Sequence, residues 1–311
     1  MEKPAIIFTH KGNPRYLKHA LNNARKSNPN SRVILLGDDT NKKINKNEHF
    51  YIKDYFFSAK DFEKKYIYQS SNKYEFELFC FQRWFVLKDF VTVNDIEHFI
   101  ACDSDVLIYE DLSQYFDYSQ WKKDYLNVVD RNGPQCVYFT KESITNFCDY
   151  ILKQYTDSNC LDRLAKRWEQ FVSNKLPGGN CDMTMFTFYQ EDFPNKLLNL
   201  YGITHMQNNN MFFYDASNYE SDNIKVFIHK KERDLFIAKM IFKRKTPYIL
   251  CMDGNKYKSP VIHFQGPYKR LMCEYSYSAF YEKFFDLIKY SVNNFRRKLS
   301  NLRNKLKPNF N

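Results

Sequence analysis

Asp103 and Asp105 stand inside the apolar stretch Phe99-Ile-Ala-Cys-Asp-Ser-Asp-Val-Leu-Ile-Tyr109. Asp is depleted in strands and costly to bury without a partner, so a pair of them there calls for a reason. At i, i+2 on an extended backbone both side chains leave on the same side. Carboxylates that close repel each other unless a cation lies between them. A hard divalent ion, Mg²⁺ or Mn²⁺, suits oxygen ligands of this kind. An acidic turn between two strands would account for the same residues.

Further along, the apolar run Ser259-Pro-Val-Ile-His-Phe264 opens into Gln265-Gly-Pro-Tyr-Lys269-Arg270. His263 offers an imidazole nitrogen suited to Mn²⁺, Gly266 lets a backbone approach closely, and Lys269 is a point charge for phosphate. Together with the aspartates they compose a site for a metal–diphosphate. Asp182 follows Lys175-Leu-Pro-Gly-Gly-Asn180-Cys181 and opens an apolar helix start, where an Asp is also a common helix N-cap. Two glycines and a proline before it mark a turn or a close approach to ligand.

The elements that must position these groups read as an alternating α/β chain. Ala5–Phe8 is a short apolar run ended by Thr9-His-Lys-Gly-Asn-Pro14, and Tyr16, Leu17, Ala20, Leu21 and Ala24 then recur at helical spacing. Val33–Leu36, closed by Gly37-Asp38-Asp39, completes a strand–helix–strand unit of a parallel sheet. Ligands of such sheets bind beyond the carboxyl ends of the strands, which is where Thr9 and Asp39 fall. A strand is expected near Phe50–Ile52. A helix is expected over Tyr74–Asp89, with Phe76, Phe79, Cys80, Arg83, Trp84, Leu87 and Lys88 on one side. Arg83 there either snorkels out or reaches the anionic site of the next strand, His98–Cys102. Further strands are expected at Tyr125–Val129 and Gln135–Phe139, then a helix from Thr140 to about Tyr155. Weak strands near Met211–Tyr214, Val226–Ile228 and Tyr248–Cys251 precede the strand that carries His263.

From about Ala279 to Lys307 the pattern is one long helix. Phe284, Ile288, Val292, Phe295, Leu299, Leu302 and Leu306 form its apolar stripe. From Phe295 onward its other face carries Arg296, Arg297, Lys298, Arg303, Lys305 and Lys307 and no acid. Packing explains the first half; the basic second half, residues 295–307, suits an anionic membrane surface, where each cation adds about 1 kcal/mol.

The 311 residues, 43% hydrophobic and 18% aromatic, suffice for a real core, and the net charge of +11 points to a polyanionic partner. No binding module for nucleic acid is recognisable and the charge is concentrated in the tail, so no nucleic-acid partner is expected. No run reaches about 18 apolar residues, which excludes a spanning helix. The eight cysteines are scattered without Cys-x-x-Cys or zinc spacing, and are expected to be reduced and mostly core. With the strand-like Ala5–Phe8 so near Met1, the location expected is cytoplasmic.

His-x-x-Gly-x-x-Lys paired with Asp-x-Asp after a strand resembles the retaining nucleotide-sugar glycosyltransferases of the glycogenin and bacterial lipooligosaccharide galactosyltransferase type (family 8-like). The resemblance covers residues 1–270. It implies a GT-A fold, an α/β architecture with a Rossmann-like, mostly parallel sheet flanked by helices, here followed by the basic amphipathic C-terminal helix. Residues 1–270 would be the catalytic domain, with a nucleotide-binding half to about 110 and an acceptor half after it; 271–311 would be the helical tail. By the resemblance Asp103, Asp105 and His263 ligate Mn²⁺ (or Mg²⁺), Gly266 and Lys269 bind the diphosphate, and Arg83 faces the donor. Thr9 and Asp39 match positions near the nucleoside, and Asp182 is a catalytic carboxylate at the sugar. The donor is expected to be UDP-linked. The expected acceptor is a bacterial surface glycan or glycolipid, reached at the inner face of the plasma membrane through residues 295–307. The family's Asp-Gln-Asp motif reads Asn180-Cys181-Asp182 here, and its aromatic-Asn-small-Gly-Val motif is loosely matched by Asn132-Gly-Pro-Gln-Cys-Val137. An inverting enzyme would need a base, for which Asp130 and Asp182 are the candidates.

Overall fold

The structure is a computed structural model that describes residues 3–114, 126–128, 134–199, 202–206, 209–215, 220–221, 224–232, 235–243 and 245–277. The expected tail helix, and with it residues 295–307, lies outside the described residues, as does Asp130. Among the described residues no helix is long and apolar enough to cross a membrane.

Strands β1 (Ala5–Thr9), β2 (Val33–Gly37), β3 (His49–Tyr51) and β4 (His98–Cys102) pair in parallel, β1 between β2 and β4, and β3 outside β2. β5 (Val106–Ile108) departs from this sheet; β6 (Leu126–Val128), β7 (Cys136–Thr140) and β8 (Leu197–Asn199) extend it. The order is β3-β2-β1-β4-β7-β6-β8, with β7 antiparallel to β4 and β6. Along β1 the residues alternate between two cores: Ile6 and Phe8 join one, Ala5 and Ile7 the other. A strand covered on both faces is apolar throughout, which is why Ala5–Phe8 and Val33–Leu36 read as unbroken apolar runs.

Helix α1 (Arg15–Ser27) covers the first face with Leu17, Ala20, Leu21 and Ala24. On the second face α2 (Phe57–Glu63), α3 (Tyr74–Val93), α4 (Lys141–Gln154) and α6 (Asp182–Asp192) build an aromatic core in which Phe62, Phe81, Trp84, Phe90, Phe147 and Phe186 are fully buried. α5 (Ser158–Ser173) lies more peripherally and buries Leu164. α4 begins where sequence places it because Thr140 and Ser143 cap each other's backbone amides. The expected apolar side of α3 is corrected: Phe76 is exposed, whereas Leu78, Phe81, Phe85 and Val86 are buried. α3 sinks most of its circumference between the sheet and its neighbouring helices, so no single stripe defines its packing.

The weak strands expected over 205–258 form more β structure than the sequence suggests. β9 (Gly202–Met206) and β10 (Asn209–Asp215) make an antiparallel pair, as do β11 (Glu220–Ser221) with β12 (Ile224–Lys225), and β13 (Ile228–Glu232) with β14 (Leu235–Ala238). β15 (Met240–Lys243), β16 (Thr246–Leu250), β17 (Lys256–Lys258) and β18 (Val261–His263) complete a second sheet of order β15-β16-β17-β10-β18-β5. β5 is therefore the strand that carries the chain from one sheet into the other.

Candidate active site

Strand order reverses at β1: the chain goes from β1 outward to β2 and β3, then returns to place β4 on the other side. The crevice beyond the carboxyl ends of β1 and β4 is the place where sheets of this type bind ligands. Ser104 and His10 meet across it, with the hydroxyl 2.9 Å from imidazole Nδ1.

Asp103 and Asp105 sit at that crevice because β4 ends at Cys102 and the chain turns at once into β5. β18 then runs antiparallel to β5 with His263 opposite Val106, and the Phe264 amide donates to the Asp105 carbonyl at 2.9 Å. One register thus delivers His263 beside both aspartates. Ligand atoms of Asp103, Asp105 and His263 lie within 4.8 Å of one another, an arrangement that could hold a metal ion. His263 Nε2 is 3.5 Å from Asp105 Oδ1, and Lys269 Nζ is 3.0 Å from Asp105 Oδ2.

The charges around the cluster are arranged unequally. Burial alone would raise the Asp105 carboxyl, but His263 and Lys269 hold it well below the usual carboxylate range. Burial raises Asp103, which Arg83 opposes and the charge of Asp105 reinforces. A divalent cation fits this donor set. Two oxygens and a nitrogen converge on one point, and a cation there would relieve both the burial of Asp103 and its repulsion from Asp105.

Arg83 extends from α3 and joins Asp103 to Asp182: Nη1 pairs with Asp103, and Nη2 lies 2.7 Å from Asp182 Oδ2. Burial would lower its pKa, but the two carboxylates raise it further, so the guanidinium is fixed as a cation. Of the two readings open for Arg83, the structure shows the one in which it reaches the anionic site. Asp182 is the first residue of α6, not its N-cap, a position that Cys181 takes. Its carboxylate accepts from three donors: Arg83, Trp84 Nε1 at 3.2 Å and the Met183 amide at 2.9 Å. Trp84 and the Ser104–His10 pair were not foreseen from sequence. A Trp inside an apolar helix reads as core, although its position beside Arg83 on the same turn was a usable signal.

The Gly-Gly of the segment before Asp182 approaches the chain's own backbone. Gly179 bridges Ser70, and a Cβ on it would lie 2.6 Å from the Ser70 Cα and meet the Gln69 carbonyl. Asn180 is tied down by Nδ2, which donates to Gln69 Oε1 at 2.8 Å and the Leu164 carbonyl at 2.9 Å. Gly266 is exposed with φ +56° and open space where a Cβ would go, at the start of a 3₁₀ turn over Gly266–Leu271 that presents Lys269.

Thr9 ends β1 at the crevice, its Oγ1 buried without a hydrogen-bond partner among the described residues. Asp39 is exposed and lines a cavity of about 590 Å³ beside the crevice. Its neighbour Asp38 is engaged instead, accepting from the Gly12 amide at 2.6 Å and the Thr40 amide at 2.9 Å.

No protein-family model and no curated relative matches this chain. Solved structures do resemble it. Mouse xyloside xylosyltransferase 1 in its apo form is 10% identical over 64% of this chain and 85% of its own, with a TM-score of 0.47. An active-site mutant of LgtC is 11% identical over 85% of this chain and 88% of its own, at 0.44. The glycosyltransferase GlyE of Streptococcus pneumoniae TIGR4 is 16% identical over 64% of this chain and 46% of its own, at 0.32.

Proposed function

We propose that this chain is a metal-dependent glycosyltransferase of GT-A type that moves a hexose from a nucleotide-diphosphate sugar, with UDP as the expected carrier. The observation that carries the reading is the meeting of Asp103, Asp105, His263 and Lys269 at the crevice between β1 and β4. In this reading Asp103, Asp105 and His263 hold Mn²⁺ or Mg²⁺, which neutralises charge on the leaving diphosphate. Lys269 supplies a second positive charge to the same group, and Gly266 leaves its backbone open to phosphate oxygens. Thr9 and Asp39 lie on the nucleoside side. Residues 1–270 form the catalytic domain.

Asp182 faces the sugar end, and three donors hold its carboxylate in one orientation. A carboxylate so held serves to steady positive charge at the anomeric carbon and to orient sugar hydroxyls. Both of its oxygens already accept hydrogen bonds within the chain, which favours front-face transfer with retention over an inverting reaction with Asp182 as base. Arg83 keeps Asp182 and Asp103 in fixed relation, so the sugar end and the phosphate end are positioned together. The acceptor in this reading is a bacterial surface glycan or glycolipid, met at the inner membrane face by residues 295–307.

Asp105→Asn is expected to abolish Mn²⁺-dependent release of nucleoside diphosphate from a nucleotide sugar. Full wild-type activity in EDTA would overturn the metal assignment. For the membrane reading, deleting residues 295–311 should release the protein from anionic liposomes while soluble-acceptor activity persists; unchanged liposome binding would refute it.

A further inference from the structure

A cavity of about 790 Å³ opens at the amino end of β2, where Val33 starts the strand. The catalytic crevice lies beyond the opposite rim of the sheet, a strand length of roughly 15 Å away. α1 brings Arg25 to this cavity, and the turn before β3 brings Lys43, Asn45, Lys46 and Glu48. With Arg32, four cations thus share the lining with one carboxylate. That carboxylate is already engaged: Arg32 Nε and Nη2 hold Glu48 Oε1 and Oε2, each at 3.0 Å. Arg25, Lys43 and Lys46 face no second one within the lining.

Arg25 is held in place from beneath. It is half-buried, with Nη1 donating to Asn22 Oδ1 at 3.2 Å and Nη2 to Asn45 Oδ1. Asn45 is buried and cannot swing away, because its Nδ2 donates to the Val33 and Glu48 carbonyls, both at 2.9 Å. A buried amide therefore aims the guanidinium at the cavity. Both of its acceptors are neutral, and they use two of its five N–H groups. Burial lowers its pKa, with no carboxylate to offset that cost. A guanidinium fork matches tetrahedral oxyanions, and lysines beside it add point charge. Three uncompensated cations call for a ligand with more than one negative charge. A phosphate monoester or a diphosphate brings that; a single carboxylate does not.

We propose that this cavity binds a phosphate monoester or diphosphate group, apart from the catalytic crevice, with Arg25 as the anchor and Lys43 and Lys46 at the rim. A lipid headgroup and a soluble molecule can both carry such a group. The inference stands apart from the nucleotide-sugar reading, since it needs neither the metal nor the crevice.

Calorimetric titration of the full chain with inorganic pyrophosphate in EDTA tests the site. Arg25→Gln should weaken binding by about tenfold or more. Lys43→Gln with Lys46→Gln should weaken it by about threefold or more and flatten its salt dependence. Both lysines are exposed, so this pair keeps the test open if Arg25→Gln misfolds. Mn²⁺-dependent nucleotide-sugar cleavage should be unchanged in all of these variants. A second arm separates the sources, using phosphatidylcholine vesicles that carry either phosphatidic acid or phosphatidylglycerol at equal charge. A preference for phosphatidic acid that Arg25→Gln erases supports the site with a lipid monoester as its ligand. Arg25-dependent pyrophosphate binding without that preference supports it with a soluble one. The proposal is overturned if neither probe binds in an Arg25-dependent way, or if binding is intact in the lysine pair. Affinity lost in Lys269→Ala but kept in Arg25→Gln places the anion in the crevice and overturns it too.

Discussion

Asp182 shows how much one side chain can owe to its neighbours. Trp84→Phe keeps the ring and removes the indole N–H, a hydrogen bond to a charged acceptor that is expected to cost roughly 1.5–3 kcal/mol. Thermal melts should register that loss, and turnover of nucleotide sugar should fall more than nucleotide affinity. His10 offers a pH test. Burial is the main cause of its lowered pKa, which lies below the ordinary 6.5. The folded chain then binds fewer protons than the unfolded chain as pH drops through 6.5, so stability is complete above that value and declines beneath it. His10→Asn should flatten the loss of Tm between about pH 7 and pH 5.5. The metal-ligand candidates were legible because carboxylates inside an apolar run are costly and announce themselves. Trp84 and Ser104 were not, since their roles depend on which neighbour the tertiary fold brings within reach.

Among the elements, those covered on both faces were the readable ones. β1, β2 and β4 and helices α1 and α4 match their expected positions to within a residue or two. The strands over 202–258 were harder because they are short, and those over 240–258 are partly open to solvent. β15 alternates half-buried and exposed residues, and Asn and Lys dilute the apolar signal of its neighbours. The glycine pair before α6 carries an element-level prediction. Gly179→Ala must push its Cβ against the Ser70 backbone, and should destabilise the fold by roughly 1–3 kcal/mol. At Gly254, φ +85°, a Cβ meets nothing within 4 Å, so Gly254→Ala bears only the backbone strain of a left-handed residue, about 1 kcal/mol. Chemical denaturation of the two variants side by side measures the difference.

For the molecule as a whole, the net charge of +11 suits anionic ligands but does not choose among them. Mn²⁺ together with a nucleoside diphosphate should raise Tm, by an amount that grows with ligand concentration, while Asp105→Asn should erase the metal-dependent part.

β5 leaves the first sheet and pairs with β18 of the second, and the three residues between β4 and β5 are Asp103, Ser104 and Asp105. The link between the two sheets and the candidate metal-binding loop are thus the same short piece of chain. A cation held by Asp103, Asp105 and His263 would rivet the last strand of one layer to the turn out of the other. Metal occupancy and the docking of the second sheet then become a single equilibrium. Chelation should loosen more than the site: amide hydrogen exchange in β18 and β10 should quicken in EDTA while β1 and β2 stay protected.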